Sequence, residues 1–321
     1  MSVTQSIKRP LVVLTGPTAA GKTKLSIALA KAIGGEILSA DSMQVYKHMD
    51  IGSAKIRPEE MQGVPHHLID ILEPWEEFNV VLFKKLCEEC LEGIYERGHI
   101  PIVTGGTGFY IQALLKNIDF TENEEDREYR DGLERLAAEK GTEQLHAMLR
   151  KVDPASAETI HANNIKRTIR ALEFYHQTGQ RISDHNEQER QKGSAYNSCY
   201  FVLNDDRERL YERIEQRIDE MLGAGLVEEV KRLREMGCQR GMVSMQGLGY
   251  KEILAWLDGE TTYEEAIDIL KRDTRHFAKR QLTWFRREEE VIWLDKQAYG
   301  YDEAEILEEM LRHLRIKNII D

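Results

Sequence analysis

Gly16-Pro17-Thr18-Ala19-Ala20-Gly21-Lys22-Thr23 fits the pattern G-x-x-x-x-G-K-[ST] at every fixed position. A loop of this kind holds phosphate. Its glycines let backbone N–H groups close around the oxygens, the following helix adds positive potential, Lys22 neutralises charge, and the Thr23 hydroxyl is placed to ligate Mg²⁺. Asp41, in Ser39-Ala40-Asp41-Ser42-Met43-Gln44, comes just after a short strand-like segment. A carboxylate there suits a general base that takes a proton from a nucleophile attacking the bound phosphate compound. Asp-Ser suits a helix or turn cap as well, and the sequence leaves both readings open. Thr107 offers a hydroxyl on a second glycine loop, Gly105-Gly106-Thr107-Gly108, either to orient a polar group of a substrate or simply to make a turn.

These groups meet only if the elements around them converge. Leu11 to Leu14, Glu36 to Ser39 and Ile100 to Thr104 read as short buried strands, with helices between them over Lys22 to Ile33 and Val80 to Arg97. That alternation predicts a parallel sheet with helices on both faces, in which strand C-termini converge on one crevice. From about Asp119 the strands vanish. Helical patterns run over Glu124 to Lys140, Thr142 to Lys151 and Asn164 to Thr178, the last after an Asn163 cap and ending at Gly179. Strand patterns return at Tyr200 to Leu203 and Val291 to Leu294, around helical stretches at Arg207 to Met236, with a break signal at Gly223 to Gly225, and at Tyr263 to Arg287; Asp302 to Leu314 closes the chain. The expected fold is α/β: a P-loop NTPase-like parallel sheet flanked by helices (1–119 and 196–321) with an inserted all-helical domain (120–195).

One feature departs from ordinary P-loop ATPases. Their next core strand usually ends in an acid that holds Mg²⁺, whereas Ile102-Val103-Thr104 runs into Gly105-Gly106-Thr107-Gly108. Basic residues cluster elsewhere. Lys166, Arg167 and Arg170 share a helix face, as do Arg213 and Arg217, and either set serves phosphate or is plainly solvated or ion-paired. Lys271 to Arg287 holds seven basic residues against Asp273 alone, interleaved with Phe277, Trp284 and Phe285, a mixture used to stack bases and hold phosphates unless the aromatics are core anchors. Cys87-x-x-Cys90 has no second pair at zinc spacing, and His66-His67 read as structural or surface residues.

The chain has 321 residues, 41% hydrophobic and 31% charged, with 44 basic and 56 acidic side chains, or −12 net. Mean hydropathy is −0.51. This is a globular composition, and the net charge excludes a protein that coats nucleic acid indiscriminately while permitting local basic patches. No run approaches a membrane span, the N-terminus from Met1 to Lys8 is polar, and four cysteines make no disulfide framework, so a cytoplasmic protein is expected.

Taken in order, the motifs resemble the bacterial tRNA dimethylallyltransferases, also called tRNA isopentenyltransferases. The resemblance rests on Gly16 to Thr23, Asp41-Ser42-Met43-Gln44-Val45-Tyr46, Asp50-Ile51-Gly52-Ser53-Ala54-Lys55, Gly105 to Tyr110, Lys166 to Glu173, Gln246-Gly247-Leu248-Gly249-Tyr250-Lys251 and Lys279 to Arg286, and spans essentially the whole chain. It implies transfer of a dimethylallyl group from dimethylallyl diphosphate to N6 of adenosine 37 in tRNA, releasing diphosphate, with Mg²⁺ assisting. The phosphate loop would then hold a leaving group rather than the tail of ATP, which accounts for the missing acid. By the same resemblance Asp41, Thr107 and Arg217 are catalytic. Asp41 binds the amine and takes its proton, Thr18 and Arg217 help hold diphosphate, and Thr107 lines the channel between substrates.

The resemblance further implies that tRNA is touched by Asp41, Ser42, Met43, Gln44, Thr107, Arg130, Lys166, Arg167, Thr168, Ile169 and Arg170. Gln246, Gly247, Leu248, Gly249, Tyr250 and Lys251, and Lys279, Arg280, Gln281, Leu282, Thr283, Trp284, Phe285 and Arg286, complete that set. The helical insertion would clasp the anticodon stem-loop, and the target base would be flipped out of its stack. A monomer without membrane attachment is expected, of the bacterial type, since the C-terminal zinc finger of some eukaryotic members is missing. Rival readings are a small-molecule P-loop kinase, an adenylate dimethylallyltransferase acting on free nucleotide, and an RNA-binding protein that uses a nucleotide as a switch.

Overall fold

A computed structural model describes residues 8–120 and 127–321; the polar segment 1–7 and the expected helix start at Glu124 lie outside the described residues. Six strands, β1 (Pro10–Thr15), β2 (Gly35–Ala40), β3 (His66–His67), β4 (Ile100–Gly105), β5 (Asn197–Asn204) and β6 (Val291–Asp295), form one sheet in the order β3-β2-β4-β1-β5-β6. Every pairing is parallel. The helices α1 (Lys22–Ile33), α2 (Val80–Glu96), α3 (Gly108–Leu115), α4 (Arg127–Lys140), α5 (Thr142–Val152), α6 (Pro154–Thr159), α7 (Ile165–Thr178) and α8 (Ile182–Gln191) precede β5. After it come α9 (Arg207–Gly223), α10 (Leu226–Glu235), α11 (Tyr250–Leu257), α12 (Tyr263–Phe285) and α13 (Glu303–Ile316).

β1 shows why both faces must be covered. Leu11 and Val13 enter a core with residues of α2, α3 and α9–α12, while Val12 and Leu14 enter another with residues of α1 and α13, all four fully buried. Successive residues of a strand point to opposite faces, so an uninterrupted apolar run needs helices on each side. α1 ends at Gly34, whose left-handed φ of 63° closes the last turn. The long stretch after β5 divides where the sequence signals it, α9 giving way to α10 across Ala224 and Gly225.

The chain forms two compact units, Met1–Leu115 with Ala195–Asp321, and Lys116–Ser194. The second has its own core of Leu133, Leu145, Leu149, Ile169 and Leu172 among others. Asp153, fully buried, accepts from the N–H and hydroxyl of both Ser156 and Ser183, tying α6 to α8. The cap of α7 is Asn164 rather than Asn163, its side chain accepting from Arg167 N at 3.4 Å. The helices α3 and α11 have only eight residues each, too few for a periodic signal to stand out.

Register sets the level at which the chain leaves the sheet. Gly105 lies opposite both Thr15 and Ala40, so Gly16, Asp41 and Gly106 all emerge at the same C-terminal edge. No helix among the described residues is long and apolar enough to cross a membrane.

At the start of β2, Glu36 is 2% exposed and accepts from Arg97 through Nε and Nη2 (2.8 Å each), with His67 Nε2 and His99 Nδ1 at 2.6 Å. His67, in β3, is therefore a structural partner. The guanidinium first, then the two imidazoles, hold the Glu36 carboxyl down to about 2 against burial, which pushes the other way. A depressed carboxyl contributes stability that is complete above its unfolded value near 4.5 and is lost as pH falls towards 2. With Arg97 and His99 half exposed, we expect roughly 1–3 kcal/mol from this group. Urea unfolding of wild type and Glu36→Gln between pH 6 and pH 3 should show a shallower acid loss in the variant; parallel profiles would remove Glu36 from the acid response.

Candidate active site

The phosphate loop is bent where β5 crowds it. Gly16 has φ +150°, and a Cβ there would lie 2.3 Å from the Leu203 carbonyl oxygen, so glycine is required by space as well as by conformation. Lys22 turns back over the loop and donates to the carbonyls of Gly16 (2.9 Å) and Pro17 (2.8 Å). Arg217, from α9, reaches the same place, its Nη1 standing 3.5 Å from Thr18 Oγ1. Thr23 is exposed at the start of α1.

These cations are short of anions. Burial first, then the positive charge of Arg217, pulls the Lys22 amine down to about 8 against a small opposing pull from Asp41. Burial likewise lowers Arg217 from its ordinary value, with Arg213 adding to the effect and Asp41 opposing it. Among the described residues Arg217 makes no ion pair with a carboxylate, so the Glu–Arg pairing that its helix spacing allowed is not what holds it. Two desolvated cations side by side define a site completed by an anionic ligand.

Asp41 satisfies both readings left open by its sequence. Oδ1 accepts from the backbone N–H of Met43 (2.8 Å) and Gln44 (3.3 Å), closing the turn after β2. Among the described residues nothing bonds Oδ2. The carboxylate stands where two cavities meet. One, about 480 Å³, is lined by Lys22, Thr23, Ser39 and Arg213; the other, about 320 Å³, by Thr107, Met43, Leu248, Met221 and Lys251, and both share Thr18, Ala19, Asp41, Gly106, Arg217, Phe277 and Gln281. The fold thus brings together the phosphate loop, Asp41, Thr107 and Arg217, as convergent strand ends require.

The strip from Asp50 to Lys55 proves to be scaffolding. Glu229, 1% exposed on α10, accepts from the N–H groups of Asp50 (2.9 Å), Ile51 (2.8 Å) and Gly52 (3.0 Å) and from the Tyr250 hydroxyl (2.7 Å). Tyr250 OH in turn accepts from Ser53 N at 3.1 Å, and buried Lys55 donates to the Tyr46 carbonyl at 2.7 Å and to the carboxylates of Asp50 and Asp70. Together these bonds fix the loop that carries Ser42, Met43 and Gln44 beside Asp41.

Several positions expected to touch tRNA turn their side chains inward instead. Tyr250 and Phe285 are fully buried, Gln281 is 6% exposed, and Thr168 and Ile169 face the core of the helical unit. Each sits on the inward face of its helix, one turn from other core residues. Lys166, Arg167 and Arg170 on α7 remain exposed, and Gly247 and Gly249 supply backbone around Leu248 and exposed Gln246. Arg130 pairs with Glu134 and Glu173 at 3.6 Å.

The basic tract on α12 is divided. Lys271 pairs with Asp219 (2.6 Å), Arg275 with Glu215, and Arg272 with Asp273 (3.0 Å). Lys279, Arg286 and Arg287 are exposed and, among the described residues, make no ion pair, while Arg280 lies 5.8 Å from the Phe277 ring. Of the aromatics, Phe277 lines the cavities, Trp284 meets Phe109 edge-on at 6.1 Å, beside the partly buried Leu282 and exposed Thr283, and Phe285 is core.

Lys296 is the residue the sequence concealed. It follows β6 directly, is 6% exposed, and its Nζ lies 3.4 Å from the Ala20 carbonyl, behind the phosphate loop. Its one signal is its place just past an apolar strand, the level at which the site forms.

Because the free Lys22 titrates near 8 and a bound diphosphate would restore its charge, binding at about pH 9 should take up as much as one proton. Calorimetry of inorganic diphosphate in buffers of different ionisation heat measures it. Lys22→Arg, permanently charged, should bind without that uptake; equal uptake by both proteins would exclude Lys22 as the proton acceptor.

Two family models match the chain. One for IPP transferase matches residues 44–288, and one for isopentenyl transferase matches residues 10–71. A tRNA dimethylallyltransferase of Lachnoclostridium phytofermentans is 62% identical over 312 residues, 97% of this chain and 99% of that one. Among solved structures, a tRNA isopentenylpyrophosphate transferase from Staphylococcus epidermidis is 42% identical with a TM-score of 0.71, covering 97% of this chain and 100% of that one. A eukaryotic dimethylallyltransferase acting on tRNA is 32% identical with a TM-score of 0.77, covering 89% of this chain and 74% of its own. With a family match over most of its length and identity of this order over nearly all of it, the chain belongs to the IPP transferase family of tRNA dimethylallyltransferases.

Proposed function

We propose that this protein transfers a dimethylallyl group from dimethylallyl diphosphate to the N6 amine of adenosine 37 in tRNA, next to the anticodon. The observation that carries this reading is the position of Asp41 at the junction of the cavity over the phosphate loop and a second, more apolar one, with Arg217 lining both. The diphosphate lies against the loop from Gly16 to Thr23, with Lys22 and Arg217 taking up the charge that develops as the C1–O bond breaks. The adenine enters from the side of Thr107 and Leu248. As N6 bonds to C1, Asp41 Oδ2 receives the amine proton, while the two backbone N–H bonds to Oδ1 keep the carboxylate aimed.

Mg²⁺ fits this arrangement only as a shared ion. Among the described residues no cluster of acidic, histidine or cysteine side chains could hold a metal by itself. The exposed Thr23 hydroxyl, together with diphosphate oxygens and water, gives the hard-oxygen, water-retaining surroundings that Mg²⁺ prefers. When bound it would add charge neutralisation at the leaving group.

Flipping the base out of the anticodon loop costs roughly a few kcal/mol, which interactions with the RNA backbone must offset. Lys166, Arg167 and Arg170 on α7, and Lys279, Arg280 and Arg286 on α12, supply the exposed positive charge for that, despite the −12 net charge.

Purified protein, given alkyl-labelled dimethylallyl diphosphate, unmodified tRNA and competing free nucleotides, should place label in the tRNA. Label in free nucleotide, or movement of the γ-phosphate of ATP, would overturn the assignment. Asp41→Ala should slow the chemical step by about 10²- to 10⁴-fold with tRNA affinity retained, and unchanged turnover would remove Asp41 from the mechanism. Neutralising Arg167, Arg170 and Arg280 should flatten the salt dependence of tRNA binding by roughly 0.7–0.9 in log–log slope for each phosphate that is no longer neutralised. An unaltered slope would leave these as merely solvated side chains.

A further inference from the structure

Gln281 is buried on the inner face of α12, yet it is a polar residue joined to two loops distant in sequence. Its Oε1 accepts from the Thr18 backbone N–H at 2.9 Å, and its Nε2 donates to the Gly106 carbonyl at 3.0 Å. Thr18 belongs to the phosphate loop, and Gly106 immediately precedes Thr107. A Cβ on Gly106 would fall 2.1 Å from Nε2, so the absence of a side chain there is what admits the carboxamide. Gln281 lines both cavities at the junction occupied by Asp41. Each end of the carboxamide is thus already bonded inside the protein.

We propose that Gln281 is a positioning residue whose carboxamide sets the spacing between the diphosphate loop and the Gly106–Thr107 loop, holding the leaving group and the incoming amine in line. This rests on the prenyl-transfer reading above. The bond pattern is directional: one loop offers a donor and the other an acceptor, which a carboxamide matches and an ionised carboxylate does not. In Gln281→Glu an ionised side chain would set oxygen lone pairs against the Gly106 carbonyl, and only its protonated form could donate there. The same helix carries Lys279, Arg280 and Arg286, so a polyanion bound on its outer face acts on the element that holds the two loops.

The test compares transfer by wild type, Gln281→Glu and Gln281→Met. Gln281→Glu, whose ionised carboxylate can still accept from the Thr18 N–H but cannot donate to the Gly106 carbonyl, should lower kcat by about 10- to 100-fold at saturating tRNA. Gln281→Met, similar in volume but without either bond, should lower kcat by about 10- to 100-fold at saturating tRNA and weaken binding of inorganic diphosphate, with tRNA affinity unchanged. Wild-type turnover by both Gln281→Glu and Gln281→Met would overturn the bridge. So would weakened tRNA binding with kcat retained, which would make Gln281 an RNA-binding residue. If wild type itself moves no label to tRNA, the prenyl-transfer reading falls instead, and calorimetry of diphosphate with Gln281→Met still decides whether the bridge shapes the phosphate loop.

Discussion

The pairing of β1, β2 and β4 at one level is the constraint on which the site depends. Thr15 and Ala40 both lie opposite Gly105, so the phosphate loop, the Asp41 turn and the Gly106–Thr107 loop leave the sheet side by side. The closeness of neighbouring strands makes glycine obligatory at Gly16, under the Leu203 carbonyl, and at Gly105, against the Ala40 carbonyl. The reactive groups are carried by turns that have almost no freedom to move along the strands, which is how a rigid scaffold orients loop residues.

Electrostatics then distinguishes the two sides of the cleft. Lys22 and Arg217 are desolvated and near each other, which is costly until an anion arrives. Asp41 is close enough to both to moderate their charge, yet its Oδ1 is committed to backbone donors while its Oδ2 accepts no bond among the described residues. A P-loop ATPase places an acid for Mg²⁺ at the end of a neighbouring strand; here β4 ends in glycine instead, and the space so freed is crossed by Gln281. In the proposed reaction the same loop chemistry serves a leaving diphosphate.

Around this centre, buried polar residues hold the loops in place. Glu229 collects three backbone N–H groups and the Tyr250 hydroxyl, and Lys55 ties together Tyr46, Asp50 and Asp70. Groups of this kind cost free energy when unpaired and specify a single loop geometry when satisfied. That is why the Asp50 to Lys55 strip, and Tyr250, expected to touch tRNA, belong to the frame of the site.

The amino-acid sequence by itself determined the phosphate loop, the alternating strands and helices, the helical block between two halves of a sheet, and the segregation of basic residues onto α7 and α12. These are local: spacing of glycines, apolar periodicity and helix caps are written within a dozen neighbouring positions. Only the tertiary structure decided that Asp41 both caps its turn and faces a cavity, that Arg217 meets Thr18, that Lys296 lies behind the loop, and that Gln281 joins Thr18 to Gly106. Those pairings bridge up to 276 residues of chain. Strand order and register bring such pairs together, and one sequence read along its length carries no record of that proximity.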